Sequence, residues 1–196
     1  YAKYFLSKKS FCYKINGVGV NISKNIFKDK LQKKKNIKKI LVIAAYKREK
    51  GYLEVLKLAK ILKKQSIKIE CYGYGNRDKF NSIKIKNKIN NISFNKFDSN
   101  LNSKIKKFDV MLHLSKREGL PVSVMQCLSF GLPVICYNIR GNNDLIKHKF
   151  NGFFIDSFRE IPKILYYLKL EKTIFNKMRY NAYKSIDKNF SNKNIN

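Results

Sequence analysis

An α/β fold, with a doubly wound parallel sheet and C-terminal helices, is what this sequence predicts on two observations. Short apolar runs bounded by polar residues recur along its middle, and several are separated by stretches whose apolar residues follow helical spacing. Strands that alternate with helices pair in parallel through right-handed crossovers. Ile40-Leu41-Val42-Ile43-Ala44-Ala45 reads as the first buried strand, and Tyr52 to Lys63 follows as a helix with Leu53, Leu56, Ala59 and Leu62 on one face. Ile67 to Tyr72 alternates as a second strand, ending at a turn marked by Gly73 and Gly75. Asn91-Ile92-Ser93-Phe94 is a third strand, a helical stretch spans Asn100 to Lys107, and Asp109-Val110-Met111-Leu112-His113-Leu114 is a fourth strand. Next come a helix opened by Pro121, a fifth strand from Pro133 to Tyr137, a short helix from Asn142 to Lys147 and a sixth strand from Gly152 to Ile155. Two apolar stripes, Ile161, Ile164, Leu165 and Leu168, then Phe175, Met178, Ala182 and Ile186, make the tail two or three helices.

The segment from Ser115 to Gln126 is the most informative, because it joins a buried strand to a helix through a polar turn. Pro121 has the fixed φ suited to a first helical position, and Val124, Met125 and Leu128 recur at helical spacing. Gly119 lets the backbone turn sharply, so that the free N–H groups of the first helical turn face the space above the strand's carboxyl end. An anion would bind there. An ordinary strand-to-helix connection is the alternative, and Glu118 weighs against it: a carboxylate beside an electropositive helix start is either a cap or a ligand contact.

Glu118 through Gln126 resembles the Glu-x7-Glu signature of retaining GT-B glycosyltransferases, the family called group 1 or family 4. The surroundings match in order: Ser115, Arg117-Glu118-Gly119-Leu120-Pro121, Gly131-Leu132-Pro133-Val134-Ile135, Gly141-Asn142, Leu145-Ile146 and Asn151-Gly152-Phe153. Upstream, Ile15-Asn16-Gly17-Val18-Gly19-Val20 resembles the lead-in to the donor-binding domain, and Lys50-Gly51 resembles its phosphate-binding pair. The resemblance implies an interdomain segment over 1–36, a Rossmann-like nucleotide-sugar-binding domain over 37–170 and C-terminal helices over 171–196. A complete GT-B enzyme has two Rossmann-like domains, so this chain of 196 residues is expected to be the donor-binding half, as a fragment, a split-gene product or a truncated record. In that family the last helix crosses onto the other domain, so part of the tail's apolar stripe should be exposed.

The resemblance also implies roles. Open α/β sheets bind ligands at the carboxyl ends of their strands, which gathers Ala45 to Gly51, Gly73 to Asn76, Ser115 to Val122 and Asn138 to Asn142 around one crevice. Lys50 would reach a diphosphate as a point charge that favours its departure, and Glu118 would contact hydroxyls of the transferred sugar; these two are the expected catalytic residues. Gly51, Gly73, Gly75, Gly119, Leu120, Val122, Ser123, Gln126 and Gly141 complete the expected donor site. The amides of Leu120, Val122 and Ser123 would face the diphosphate, while Pro121 has no N–H to give. Two positions depart from the family. Gln126 stands where relatives carry the second glutamate, which accepts from ribose hydroxyls, and Ala45 stands where many carry an arginine, with Lys47 and Arg48 as candidate substitutes. The family uses no bound metal and no cofactor, the nucleoside-diphosphate sugar being its substrate.

Composition adds 43 Lys+Arg against 13 Asp+Glu, a formal net charge of +30. Such an excess suits a polyanion or an anionic membrane surface. The lysines are nevertheless spread over almost every polar face among many asparagines and isoleucines, which reads as codon bias, and the densest run, Lys33 to Lys39, reads as a solvated loop. No nucleic-acid-binding signature accompanies them, so no specific nucleic acid is expected as a partner. With 44% hydrophobic residues, no apolar stretch approaching about 18 residues and no signal peptide, a cytoplasmic protein is expected, with peripheral contact at the inner face of an anionic membrane left open. Cys12, Cys71, Cys127 and Cys136 are far apart and read as reduced thiols in or near the core. His113 reads as a core or crevice-edge histidine and His148 as exposed.

The expected function is therefore transfer of a sugar, with retention, from a nucleoside-diphosphate sugar to a glycan or lipid-linked acceptor. A separate chain carrying the acceptor-binding domain is an expected partner. Two alternatives stay open: a catalytically inactive sugar-nucleotide-binding or assembly module, suggested by Ala45 and Gln126, and a basic nucleic-acid- or membrane-surface-binding protein, suggested by charge alone.

Overall fold

A computed structural model describes residues 36–189, the side chains of the last three excepted. The interdomain segment expected over 1–36, its Ile15 to Val20 motif, Cys12 and Lys33 to Lys35 lie outside the described residues, apart from Asn36. Six parallel strands form one sheet in the order β3-β2-β1-β4-β5-β6: β1 Lys39–Ile43, β2 Lys68–Gly73, β3 Ile92–Lys96, β4 Val110–His113, β5 Val134–Tyr137 and β6 Gly152–Ile155. Seven α-helices accompany them among the described residues: α1 Tyr52–Leu62, α2 Asp78–Lys86, α3 Leu101–Ile105, α4 Val122–Ser129, α5 Asn142–Leu145, α6 Ile161–Leu170 and α7 Lys172–Asn189.

All four residues of β4 are buried, as is expected of a strand covered on both faces. Its start is tied to β1 by the Asp109 carboxylate, which accepts from the amides of Lys38 and Lys39 at 2.8 and 2.9 Å. One face of the sheet packs Val55, Leu58, Ala59 and Leu62 of α1 with Phe80, Leu165 and Leu168. The other packs Leu101 and Ile105 of α3 with Val124, Met125 and Leu128 of α4. Helix α7 serves both, giving Phe175 and Met178 to the first core and Ala182 and Ile186 to the second.

Two expectations need correction here. The sequence pattern predicts no helix between β2 and β3, yet α2 lies there; only Phe80 of its nine residues is buried, so it carries almost no apolar periodicity to detect. The tail stripe is expected to be partly exposed, but Phe175, Met178, Ala182 and Ile186 are all buried by the domain's own sheet and helices. The exposed apolar residues of the tail are instead Tyr166, Tyr167, Leu170, Ile174 and Tyr180. Cys71, Cys127 and Cys136 are free and buried, and burial pushes each thiol up, that of Cys136 to about 12. No helix among the described residues is long and apolar enough to cross a membrane.

Candidate functional site

The strand order reverses direction between β1 and β4, and a crevice opens beyond their carboxyl ends. On one side the chain leaves β1, makes a single 3-10 turn at Arg48–Lys50 and enters α1 through Gly51. On the other it leaves β4 through Ser115 and reaches α4 at Val122. The two loops are stitched together. Lys116 N donates to Glu49 O at 3.0 Å, and Gly51, at φ +77, lies so close to Leu114 that a Cβ would stand 2.3 Å from its carbonyl oxygen. Only glycine lets Lys50 approach β4 this closely.

Lys50 Nζ then donates to Glu118 Oε1 at 2.6 Å, with 19% and 15% of the two side chains exposed. His113, buried on β4, stands behind the pair with Nε2 3.3 Å from the same oxygen, near in distance but outside hydrogen-bond geometry, and that nitrogen has no hydrogen-bond partner among the described residues. An N–H at Nε2 is the arrangement that avoids lone-pair repulsion against the carboxylate. Burial alone would push the Glu118 carboxyl up, but the polar side chains of His113, Lys50 and Ser115 around it outweigh that and hold the pKa at about 2. Glu118 is thus an ionised acceptor, fixed in place.

Glu49, Lys50, Lys116, Arg117, Glu118, Gly119, Ile139 and Arg140 line a cleft of about 640 Å³. Four cations against two carboxylates make it electropositive. Shortly after Gly119, the last lining residue on this loop, α4 begins: Val124 N and Met125 N both bond to Pro121 O, so the amides of Val122 and Ser123 precede the first intrahelical bond. Such a cleft attracts a multiply charged anion.

The expected residues fall into three groups. Lys50, Glu118 and Gly119 line the cleft, Gly51 braces it, and Gly141 packs directly on Gly119. Leu120 tucks against the second core, and Val122 and Ser123 open α4. Gln126, one turn further on, donates from Nε2 to Asn102 Oδ1 on α3. Gly73 and Gly75 lie apart from the cleft lining, at the end of β2 beside Ala44 and Tyr46.

Three details differ from expectation. Pro121 is the residue before the helix rather than its first residue, with ψ at 104°. Gly119 has no positive φ, and a Cβ added to it would meet nothing within 4 Å, so the turn does not require glycine; Gly141, at φ +84, does. Lys47 and Arg48, the candidate substitutes for the arginine missing at Ala45, are not among the cleft residues. Lys116, Arg117 and Arg140 supply the charge instead, and sequence reasoning gives none of them a role. All three lie in loops already assigned to the crevice, and Arg117 belongs to the matched motif, so their placement is the available signal.

The depressed pKa has a stability consequence. Because Glu118 falls from an ordinary 4.5 to about 2 on folding, its contribution is complete above about pH 4.5 and is lost as pH falls toward 2. Urea unfolding across that window should show the stability advantage of the native chain over Glu118→Gln shrinking as pH falls. An advantage that stays constant would mean that the carboxylate is not held by these partners.

Comparison with known proteins gives the chain a family and its fold a set of relatives. A family model, Glycosyl transferases group 1, matches residues 23–185. The UDP-Gal:alpha-D-GlcNAc-diphosphoundecaprenol alpha-1,3-galactosyltransferase of Escherichia coli is 44% identical over 52 residues, 26% of this chain and 13% of that protein. The UDP-N-acetylglucosamine--peptide N-acetylglucosaminyltransferase GtfA subunit of Streptococcus agalactiae is 36% identical over 95 residues, 47% of this chain and 18% of its own length. Among solved structures, TarM of S. aureus in complex with Fondaparinux, alpha-GlcNAc-glycerol and UDP superposes with a TM-score of 0.78 at 18% identity, over 93% of this chain and 37% of that one. The fold is thus shared with GT-B glycosyltransferases, and the chain spans well under two thirds of the length of these relatives.

Proposed function

The chain belongs to the glycosyl transferases group 1 family, and from that premise we propose that it is the donor-binding part of a retaining glycosyltransferase that takes a nucleoside-diphosphate sugar. The observation that carries the reading is the Lys50–Glu118 pair at 2.6 Å, set at the switch point beside the free amides of α4. A diphosphate in the cleft meets Lys50, Arg117 and Arg140 as counter-charges and the α4 amides as donors. Glu118, ionised and anchored by His113, accepts from hydroxyls of the sugar attached to that diphosphate. In transfer the sugar's anomeric carbon loses its bond to the diphosphate oxygen and gains one to an acceptor hydroxyl on the same face, whose proton passes to the departing diphosphate oxygen. The charge that develops on the leaving diphosphate is stabilised by Lys50 and the helix start. The acceptor is a glycan or a lipid-linked sugar, held mainly by a part of the enzyme outside this chain. No cofactor or metal takes part.

Ligand-observed NMR with UDP, GDP and ADP sugars tests the reading. Saturable binding of at least one, retained at high salt where attraction to the +30 surface is screened, is the expected result. Absence of binding by all of them would overturn it.

Gln126 supplies a further expectation. Its Nε2 is engaged by Asn102, which leaves its carbonyl oxygen to accept from a ribose hydroxyl. Gln126→Glu should tighten nucleoside-diphosphate binding by about tenfold, since a charge-assisted bond is worth about 1.5–3 kcal/mol against about 1 for a neutral one. The Asn102 amide can turn to donate to the new carboxylate, so that contact survives. A 2′,3′-dideoxy nucleotide lacks the partner hydroxyls and should show no gain. An equal gain for both ligands would remove Gln126 from the ribose site.

A further inference from the structure

The amino-terminal rim of the sheet, at the opposite end from the cleft, carries a group that the donor reading does not use. Helices α1, α2 and α6 cover one face of the sheet, and each starts at the cleft edge and ends at this rim. Their ends meet there: Lys63 Nζ donates to the carbonyl of Lys88 at 3.3 Å, and Lys64 lines a groove with Tyr166, Lys169 and Lys38. Each helix exposes an apolar side chain in its last turn. Ile61 of α1 is 47% exposed, Ile85 of α2 74% and Leu170 of α6 59%, with Tyr166 at 60% one turn before it. Charge divides along the same helices. The carboxylates of α1 and α2, Glu54 and Asp78, stand in the first turn, α6 has none, and the last turns hold Lys60, Lys84, Lys86 and Lys169. Lysines there complement the helix dipole and need no further reason. The exposed isoleucines and leucine beside them do.

We propose that this rim docks on an anionic membrane surface, with Ile61, Ile85, Tyr166 and Leu170 entering the interface and the lysines among them meeting lipid phosphates. A soluble polyanion would use the lysines and leave the apolar side chains in water. A bilayer takes both, because its anionic head groups lie over an apolar layer. Tyr166 has the apolar ring and polar tip of an interfacial residue, and a lysine can lay its methylenes on apolar surface while its ammonium stays among the head groups. The groove between the ends of α1 and α6 holds about 570 Å³, and among the described residues that line it there are three lysines and no carboxylate, so a phosphate head group matches its charge. Glu171, at the turn into α7, is the exposed carboxylate at the end of α6, flanked in sequence by Lys169 and Lys172. The proposal stands apart from the donor reading. The eleven residues of α1 span about 16 Å between the cleft and the rim, so a docked chain keeps its cleft open to solution.

Co-sedimentation of the full chain with lipid vesicles tests the proposal, at about 0.1 M salt, where exposed charges more than about 10 Å apart are screened. Vesicles of phosphatidylcholine with about one quarter phosphatidylglycerol should bind the native chain, and vesicles of phosphatidylcholine alone should bind it at least about tenfold more weakly. Ile61→Ser, Ile85→Ser and Leu170→Ser should each weaken binding to the anionic vesicles by about fivefold, and the triple variant by about a hundredfold, since separate burials add. Leu53→Ser is the control: it removes an exposed leucine from the first turn of α1, at the cleft edge, and should bind as the native chain does. All these side chains are exposed, so thermal unfolding of the variants should match that of the native chain. Nucleoside-diphosphate affinity should be equal in the native chain and the triple variant, so failure of the membrane proposal leaves the donor reading standing. Anionic-vesicle binding that the triple variant keeps in full overturns the proposal and assigns the attraction to the +30 charge alone. Absence of vesicle binding by the native chain overturns it as well. A native chain that self-associates, and that the triple variant makes monomeric with vesicle binding unmoved, gives the rim to a second copy instead.

Discussion

Replacing Lys50 by alanine should lower nucleoside-diphosphate affinity by about 10–100-fold, since a hydrogen bond to a charged group is worth about 1.5–3 kcal/mol. In any assay of transfer the loss in turnover should be larger, about 10²–10³-fold, the cost of removing one preorganised donor from a site of developing charge. The geometry makes the effect more than the deletion of a cation. In the native chain Lys50 Nζ lies 2.6 Å from Glu118 Oε1, and its loss leaves an ionised carboxylate facing the incoming diphosphate with only His113 and Ser115 beside it. Repulsion then adds to the lost attraction. The double variant Lys50→Ala/Glu118→Gln separates the two contributions: affinity for the nucleotide should recover in part, while transfer should not, if Glu118 meets the sugar as proposed. Lys50→Arg should bind well, as the charge is kept, yet turn over slowly, as a planar guanidinium does not occupy the place of a compact ammonium. Calorimetric titration at high salt reads the affinities. Unchanged binding by Lys50→Ala would place the diphosphate somewhere other than this cleft.

How much of this is legible in the sequence depends on which physical signal each feature leaves there. Strands buried on both faces leave apolar runs, so β1, β4 and β5 can be read within a residue or two of their bounds, and Gly152–Ile155 is read outright. Helix α2 buries one phenylalanine and leaves no such trace. The tail stripe is core, as its spacing implies, but its expected exposure fails, because which face of α7 is covered depends on two core layers that meet only in three dimensions. At the site, Lys50 and Glu118 can be singled out through their glycine neighbours and family motifs. That they touch requires the strand order, which puts β1 beside β4 although 68 residues separate the pair. Arg117 and Arg140 are hidden by abundance: in a chain with 43 basic residues, a charge on a loop carries little information until the cleft shows which ones converge. His113 reads as core or crevice edge. It is both, a buried strand residue whose ring nitrogen reaches the rim.

Gly141 and Gly119 provide the sharpest test of how the crevice is built, because the two glycines touch and differ in what they require. Gly141 lies at φ +84, and a Cβ there would stand 1.5 Å from the carbonyl oxygen and 2.7 Å from the carbonyl carbon of Gly119. Both obstacles are backbone, so no side-chain rotation relieves them. Gly141→Ala must push the β5–α5 loop away from the β4–α4 loop, and the segment displaced adjoins Glu118 and carries Arg140. A steric conflict of this kind added to an unfavourable φ should cost about 2–4 kcal/mol, within the range of the more severe single substitutions. For a chain of this size that lowers Tm by about 4–16 °C, at about 2–4 °C per kcal/mol. Gly119→Ala is the contrast. Its φ is ordinary and its Cβ would enter open space, so stability should stay within about 0.5 kcal/mol of native. Gly119 lines the cleft, so the added methyl should still weaken nucleotide binding. Thermal unfolding and ligand titration of the two variants therefore give opposite patterns: one protein less stable, the other as stable as native but impaired in binding. If Gly141→Ala proved as stable as the native chain, the contact between the two loops would not exist as described. If Gly119→Ala bound nucleotide normally, the ligand would not pass over the start of α4.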